Sequence, residues 1–248
     1  MDFIIVFVAA FLAGILNTIA GGGTFITFPA LVLVGVPPVV ANATSAVAVL
    51  PGYLAGAFGF RQELSAFDRA LLIRLLVYTL IGSVVGAGLL MVSSDAAFSF
   101  LVPFLLLAAT LVFLFGDQIR GFAAARASGV VPFGAVGLIL VSIYGGYFNG
   151  GLGIVLLALF SLWGMQDIHT MNGLKNGLSF VLSLISVVIF ALGGLVVWNY
   201  AVVMMVGATL GGYLGAPVAR ALPKTAVKAI VVGVGFVMSV LFLVRLFG

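Results

Sequence analysis

The sequence predicts an all-α polytopic membrane protein, and three observations carry that prediction. Charged residues make up 6% of its 248 positions, ten Lys or Arg and six Asp or Glu, against about 25% in an ordinary soluble domain. Hydrophobic residues make up 64%, and the mean hydropathy is +1.40. The few charges are gathered so that long charge-free runs separate them. A soluble fold of this size must turn much of its chain toward water and cannot hide so much apolar side chain. The solvent is therefore lipid. A soluble enzyme, a nucleic-acid reader and a disordered scaffold are excluded. The net charge of +4 reflects cations in loops between apolar spans, where the positive-inside bias places them.

Residues 3–60, 75–94, 96–116, 127–166, 176–219 and 229–244 carry no charge. A spanning helix needs about 20 apolar residues, so 75–94 and 96–116 are one span each. The longer runs must be cut at glycine, proline or interfacial residues. The cuts fall at Gly21-Gly22-Gly23, Gly35-Val36-Pro37-Pro38, Asn149-Gly150-Gly151-Leu152-Gly153, Gly193-Gly194 and Trp198-Asn199. About eight apolar elements result, near 3–35, 39–60, 70–92, 97–115, 129–164, 171–192, 198–219 and 226–247. Elements one and five are long and broken by glycine in the middle. Met1-Asp2-Phe3 offers no positive region ahead of the first apolar run, so that run is expected to stay in the mature protein, with the terminus outside the cytoplasm.

An internal repeat joins the halves. Ala20-Gly21-Gly22-Gly23 aligns with Asn149-Gly150-Gly151-Leu152, Asn42-Ala43-Thr44-Ser45 with Asn172-Gly173-Leu174-Lys175, and Thr79-Leu80-Ile81-Gly82 with Thr209-Leu210-Gly211-Gly212. The expected division is a first transmembrane repeat over 1–116, a cytoplasmic linker over 117–128 and a second repeat over 129–248. Cations mark the loop after element two in the first half (Arg61, Arg69, Arg74) but the loop after element seven in the second (Arg220, Lys224, Lys228). Cation-rich loops are cytoplasmic, so the two repeats are expected to be inverted. Inversion requires an odd number of crossings per half. Elements one and five would then be helical hairpins that enter and leave on one face, turning at their glycines. A parallel repeat that defies the charge bias is the alternative.

The breaks are the first candidates for chemistry. Non-helical backbone at membrane depth is tolerated only where protein buries it or it lines a cavity. Helices starting at Thr24 and Gly153 would aim free N–H groups and positive dipole ends at the breaks, and two such ends near the midplane make an anion site. The alternative is that the glycines only let helices pack closely. Lys175 is the second candidate, the one charged residue between 168 and 219 and about two turns into element six. An ionisable group there is costly. Asn172, Lys175, Asn176, Ser179, Ser183 and Ser186 recur at spacings of three or four and share a helix face. Lys175 either faces the bundle or snorkels to the interface.

Absences matter as well. No carboxylate falls inside an apolar run, cysteine is absent, and His169 is the single histidine. Neither a thiolate site nor a multi-histidine metal site is available, and no cofactor is expected. Asp167 and His169 could serve a proton step at the start of element six, or could cap a helix and face water. A buried aspartate pair or a supported serine–histidine pair is missing, so the enzyme reading has little behind it.

Asn17-Thr18-Ile19-Ala20-Gly21-Gly22-Gly23-Thr24, Phe28-Pro29-Ala30-Leu31, Val40-Ala41-Asn42-Ala43-Thr44 and Ala48-Val49-Leu50-Pro51-Gly52 together resemble the opening signature of the sulfite exporter TauE/SafE family. Asp167-Ile168-His169-Thr170, Asn172-Gly173-Leu174-Lys175-Asn176, Phe190 to Trp198 and Gly211 to Ala216 resemble its second half. The resemblance spans nearly the whole chain. It implies a bacterial-type inner-membrane permease that moves small sulfur-containing anions such as sulfite or organosulfonates, usually outward. Many relatives have Asn-Arg after the Asn-Ala-Thr segment, where this chain has Ser45-Ala46. The first half thus has no cation to match Lys175, which suggests a single-cation site for a monoanion.

The expected protein is a secondary transporter working by alternating access around a midplane site. Lys175 would supply the charge. Asn17, Thr24, Asn42, Thr44, Ser45, Asn149, Asn172 and Asn176 would supply hydrogen bonds. Gly21, Gly22, Gly23, Gly150, Gly151 and Gly153 would let backbone N–H groups approach the ligand. A passive anion channel of the same architecture is the alternative. The lipid bilayer and a small anion are the expected partners, with a homodimer compatible.

Overall fold

The computed structural model describes residues 1–20, 22–125, 132–221 and 224–247. Among these it is all-helical, with α1 (Asp2–Ala20), α2 (Thr24–Leu33), α3 (Pro38–Gly59), α4 (Arg61–Ala66), α5 (Arg69–Val92), α6 (Asp95–Leu114), α7 (Gly116–Ala125), α8 (Ala135–Tyr147), α9 (Leu152–Leu162), α10 (Ile168–Leu192), α11 (Trp198–Ala221) and α12 (Lys224–Phe247). Four helices among the described residues are long and apolar enough to cross a membrane, at Pro38–Gly59, Arg69–Val92, Asp95–Val112 and His169–Leu192. In lipid every backbone polar group must be satisfied within the protein, and helices do this at least cost. Polar caps set several starts. The Asp68 carboxylate accepts from Leu71 N, the Ser94 hydroxyl from Ala97 N, and the Asp167 carboxylate from His169 N and Thr170 N, which serves the free first-turn donors of each helix.

Element one is α1 followed by α2, and element five is α8 followed by α9. Each pair is a hairpin. α2 folds back along α1, since a Cβ at Gly23 would lie 3.2 Å from Ala13 O and Ile4, Leu12, Ile26 and Leu33 of the two helices line one groove. In the second pair a Cβ at Gly137 would lie 2.9 Å from Leu159, and one at Gly145 would lie 2.8 Å from Leu152, again antiparallel. Both returning helices stop in the same way. Gly35 (φ +87°) and Gly164 (φ +81°) take the left-handed conformation, and Val36 N donates to Leu31 O as Met165 N does to Phe160 O. This is the Schellman stop, for which a residue without Cβ is suited.

Contacts at the helix ends assign the two faces. On one face Val39 N donates to the Asp95 carboxylate at 3.0 Å, Gly193 lies against Met91, and Phe3 packs on Tyr200. On the other, Phe60 meets His169, Phe67 meets Phe133, and Phe133 meets Trp163. This second face carries Arg61, Arg69 and Arg74 and is called the basic face below. α11 starts at the Asp95 face and runs parallel to α1, with Gly207 against Phe7 and Gly211 against Phe11. Its end, and the start of α12, therefore reach the basic face. The first hairpin opens on the Asp95 face and the second on the basic face.

The hairpins do not pack within their own halves alone. α1 lies on α11, and α8 lies on α5, while α3 pairs with α10 and α6 with α12. Segments 1–116 and 129–248 are thus interleaved. Glycine makes the closest crossings. A Cβ at Gly14 would overlap the Ala208 carbonyl, one at Gly86 would overlap the Ile143 carbonyl, and one at Gly146 would lie 2.7 Å from Ser83 O. Small residues let helix backbones approach in this way where lipid supplies no hydrophobic driving force between helices. The expected linker forms α7 over Gly116–Ala125 and packs along α9, and its remainder, 126–128, lies outside the described residues.

Candidate functional site

Both hairpin tips reach the same turn of α3. At the first tip, Gly23 N donates to Asn17 Oδ1 at 3.2 Å, and a Cβ on Gly52 of α3 would lie 3.3 Å from Asn17 Nδ2. At the second tip, Tyr53 OH donates to Asn149 Oδ1 at 3.1 Å, and Asn149 Nδ2 donates to the Ser183 hydroxyl of α10 at 3.0 Å. Gly52 and Tyr53 are neighbours in sequence. Asn149 is buried and has φ +63°, a left-handed conformation that asparagine tolerates better than most residues. Gly151 follows at φ +71°. Tyr144 OH donates to Gly150 O, closing the tip on itself.

The helices that leave the two tips begin without side-chain caps, at Gly23 for α2 and Gly151 for α9. In α9, Leu152 N donates to Asn149 O, and Ile154 N and Val155 N donate to Gly151 O. This leaves the Gly153 N–H without an acceptor among the described residues. Lys175 lies directly over that start, because a Cβ at Gly153 would sit 3.2 Å from Lys175 Cδ. The Lys175 ammonium donates to Asn172 Oδ1 at 3.1 Å. Asn176, one position on, is pressed against Gly56 of α3, where a Cβ would lie 2.7 Å from its Cγ. The basic side chain is half-buried, faces the hairpin tip and has no carboxylate partner among the described residues.

The structure thus brings Asn17, Gly23, Asn149, Gly150, Gly151, Gly153, Asn172, Lys175 and Asn176 to the tips and the α3/α10 pair they meet. Gly22 and Thr24 flank the first turn and are buried, and Gly21 lies outside the described residues. The first-half asparagine segment sits nearer the Asp95 face, and its side chains bond to neighbouring helices. Thr44 Oγ1 accepts from Val197 N at 3.1 Å, Ser45 Oγ lies 2.6 Å from Thr27 Oγ1, and Asn42 Nδ2 donates to Tyr147 O at 2.8 Å. Asp167 and His169 are exposed at the basic face. The Thr170 hydroxyl and the Thr170 and His169 amides bond the Asp167 carboxylate and hold its pKa below the ordinary 3.8.

Sequence reasoning missed Tyr53 and Tyr144 as members of the site and left Ser183 as one position on a polar face. The available signal was a tyrosine within an otherwise apolar run, since a phenolic hydroxyl at depth needs a partner. Among the described residues no cluster of His, Cys, Asp or Glu could hold a metal ion.

The family model described as sulfite exporter TauE/SafE matches residues 6–242. A "probable membrane transporter protein" of Haemophilus influenzae is 31% identical over 236 residues, covering 95% of this chain and 92% of its own. The "probable membrane transporter protein YfcA" of Escherichia coli is 29% identical over 238 residues, with 95% and 87% covered. A "probable membrane transporter protein ORF9" of Sinorhizobium is 29% identical over 243 residues, with 94% and 89% covered. No solved structure matches.

Proposed function

This chain belongs to the sulfite exporter TauE/SafE family, and from that premise we propose that it is an inner-membrane carrier exporting small sulfur-containing monoanions such as sulfite or organosulfonates. It is a multi-pass membrane transporter of the TauE/SafE type. One observation carries the finer reading, namely that Lys175 lies over the uncapped start of α9. A helix start carries roughly half a positive charge, and the ammonium adds a whole one. Two positive poles side by side at depth, with no carboxylate between them, are unfavourable until an anion joins them. The Gly153 N–H and the ammonium's remaining donors would then be satisfied together, with Asn172 and Asn176 beside them. Asn17 at the first tip meets α3 at Gly52, next to the Tyr53 that bonds the second tip, and is assigned to the same site.

The inverted-repeat reading is supported by the opposite openings of the two hairpins and by the run of α11 from the Asp95 face toward the basic face. Alternating access follows from that architecture by analogy with inverted-repeat transporters. The test is flux of radiolabelled sulfite and organosulfonates in proteoliposomes. A carrier gives saturable uptake and counterflow. A steady current with neither would replace the carrier by a channel, and flux of unrelated small anions alone would overturn the sulfur-anion assignment.

A further inference from the structure

The break between α8 and α9 has two poles. The start of α9 belongs to the anion reading. The other pole is the C-terminal end of α8, where the last carbonyls carry partial negative charge. Asn42 of α3 is fastened there, with Nδ2 donating to the carbonyl of Tyr147, the final residue of α8, at 2.8 Å. A carbonyl can only accept, so this bond sets the orientation of the amide. Oδ1 is therefore the other arm of the same amide, next to the bonded nitrogen and not itself bonded to Tyr147 O. It is buried, the residue being 3% exposed, and no donor reaches it among the described residues.

The neighbouring hydroxyls have no proton to spare for it. Ser45 lies one turn along α3 on the same face as Asn42, and its Oγ is 2.6 Å from Thr27 Oγ1. Thr27 Oγ1 is 3.2 Å from the Gly23 carbonyl. Each hydroxyl carries one proton. When Thr27 donates to Gly23 O, Ser45 donates to Thr27, and Ser45 keeps its lone pairs but has no proton left for Asn42. Oxygen lone pairs without donors, beside the negative end of a half-helix, are what a hard cation binds.

We propose that Asn42 Oδ1, with Ser45 Oγ, anchors a binding site for a monovalent cation, Na+, at the C-terminal end of α8. Both ligands are neutral, so one positive charge suits the site better than two, and the amide cannot itself take up a proton at neutral pH. The cation and the anion would occupy opposite poles of one helix break, which couples them through the position of the hairpin tip. The coupling role rests on the transporter reading above, whereas cation binding stands by itself.

The experiment is equilibrium binding of 22Na+ to the purified protein in nanodiscs, by scintillation proximity, with unlabelled Na+, Li+ and K+ as competitors. Saturable binding is expected in the wild type and lost in Asn42→Ala, with monodispersity and a thermal transition establishing that the variant is folded. Asn42→Asp is expected to restore binding and to make it pH-dependent, because a carboxylate can be protonated. Lys175→Ala is expected to keep 22Na+ binding. Absence of saturable binding in folded wild type would overturn the proposal and leave a buried water on Asn42. Binding unchanged in both Asn42 variants would overturn it too, by placing the ion elsewhere. Binding of 22Na+ without any sulfur-anion flux would uphold the site and sink only the substrate assignment.

Discussion

Lys175→Met separates the charge of the lysine from its packing. The Met side chain keeps an unbranched apolar stem over Gly153, where Lys175 Cδ is now seated, and removes only the ammonium. Among the described residues that ammonium makes one bond, to Asn172 Oδ1. Its remaining donors are free for a ligand. A hydrogen bond to a charged group contributes about 1.5–3 kcal/mol, and each 1.4 kcal/mol is tenfold in affinity. Losing one such bond should raise the transport KM for a sulfur monoanion about 10- to 150-fold. Stability should not fall. Replacing a charge held in a poorly solvated place without a countercharge is neutral or stabilising when the replacement packs well. The assay is initial-rate uptake into proteoliposomes across a substrate series, with thermal unfolding followed in parallel. A KM within about threefold of the wild type would refute the reasoning and leave Lys175 as a side chain reaching for the interface. A large loss of stability with unchanged KM would refute it as well, by making the lysine a structural residue.

Three further outcomes follow from the geometry. Gly86→Ala should lower the melting temperature, because its Cβ would overlap the Ile143 carbonyl and lie 2.9 Å from Tyr147 N, an overpacking that costs about 1–3 kcal/mol; Gly88→Ala, where nothing lies within 4 Å, should not, and thermal unfolding of the pair checks this. Tyr53→Phe removes the donor to Asn149 Oδ1 and leaves a buried acceptor unpaired, at about 1–3 kcal/mol; the expected reading is a lower melting temperature together with slower flux, since the second tip keeps the Asn42–Tyr147 bond but loses its other tie to α3. The chain contains no cysteine, so single cysteines report topology cleanly. Those introduced at Gln62 and Thr225 should be labelled by an impermeant thiol reagent from one side of the membrane, and one at Ser94 from the other.

The hairpins were legible because two independent signals agree on them. Glycine runs mark where elements one and five break, and the asymmetry of Arg61, Arg69 and Arg74 against Arg220, Lys224 and Lys228 is what made hairpins the expected form, through the proposed inversion. Lys175 and its face were legible because a lone ionisable residue stands out in an apolar chain. The roles of Thr44, Ser45 and Asn149 were not. Thr44 meets Val197, Ser45 meets Thr27, and Asn149 lies between Tyr53 and Ser183, and no local pattern encodes which helix a hydroxyl will find across the bundle. The linker 117–128 was read from its charges alone. What the charges do not report is that α7 packs along α9, which ties the junction of the halves to the second hairpin.

The packing also bears on which parts could move together in an alternating-access step. The crossings in which glycine seats backbone on backbone join a hairpin of one half to a helix of the other, α1 to α11 through Gly14, Gly207 and Gly211, and α8 to α5 through Gly82, Gly86 and Gly146. At each, a Cβ would meet backbone rather than a flexible side-chain end. Backbone seated on backbone cannot slide by small rotamer adjustments, because close-packed interfaces have discrete arrangements rather than a continuum. The polar ties between the tips and α3 or α10 are few, and one is the single bond from Tyr53 to Asn149. These ties lie on the α3/α10 pair, which carries Lys175 and Asn42 and along which α5 and α11 also pack. In the proposed alternating access, a hairpin that moves as a rigid body would carry its glycine-packed partner, α5 with the second and α11 with the first, so the moving bodies would be drawn from both halves of the sequence. The anion and cation proposed for the two poles of the α8/α9 break would bias such a motion, since each would bridge the second tip to α10 or α3.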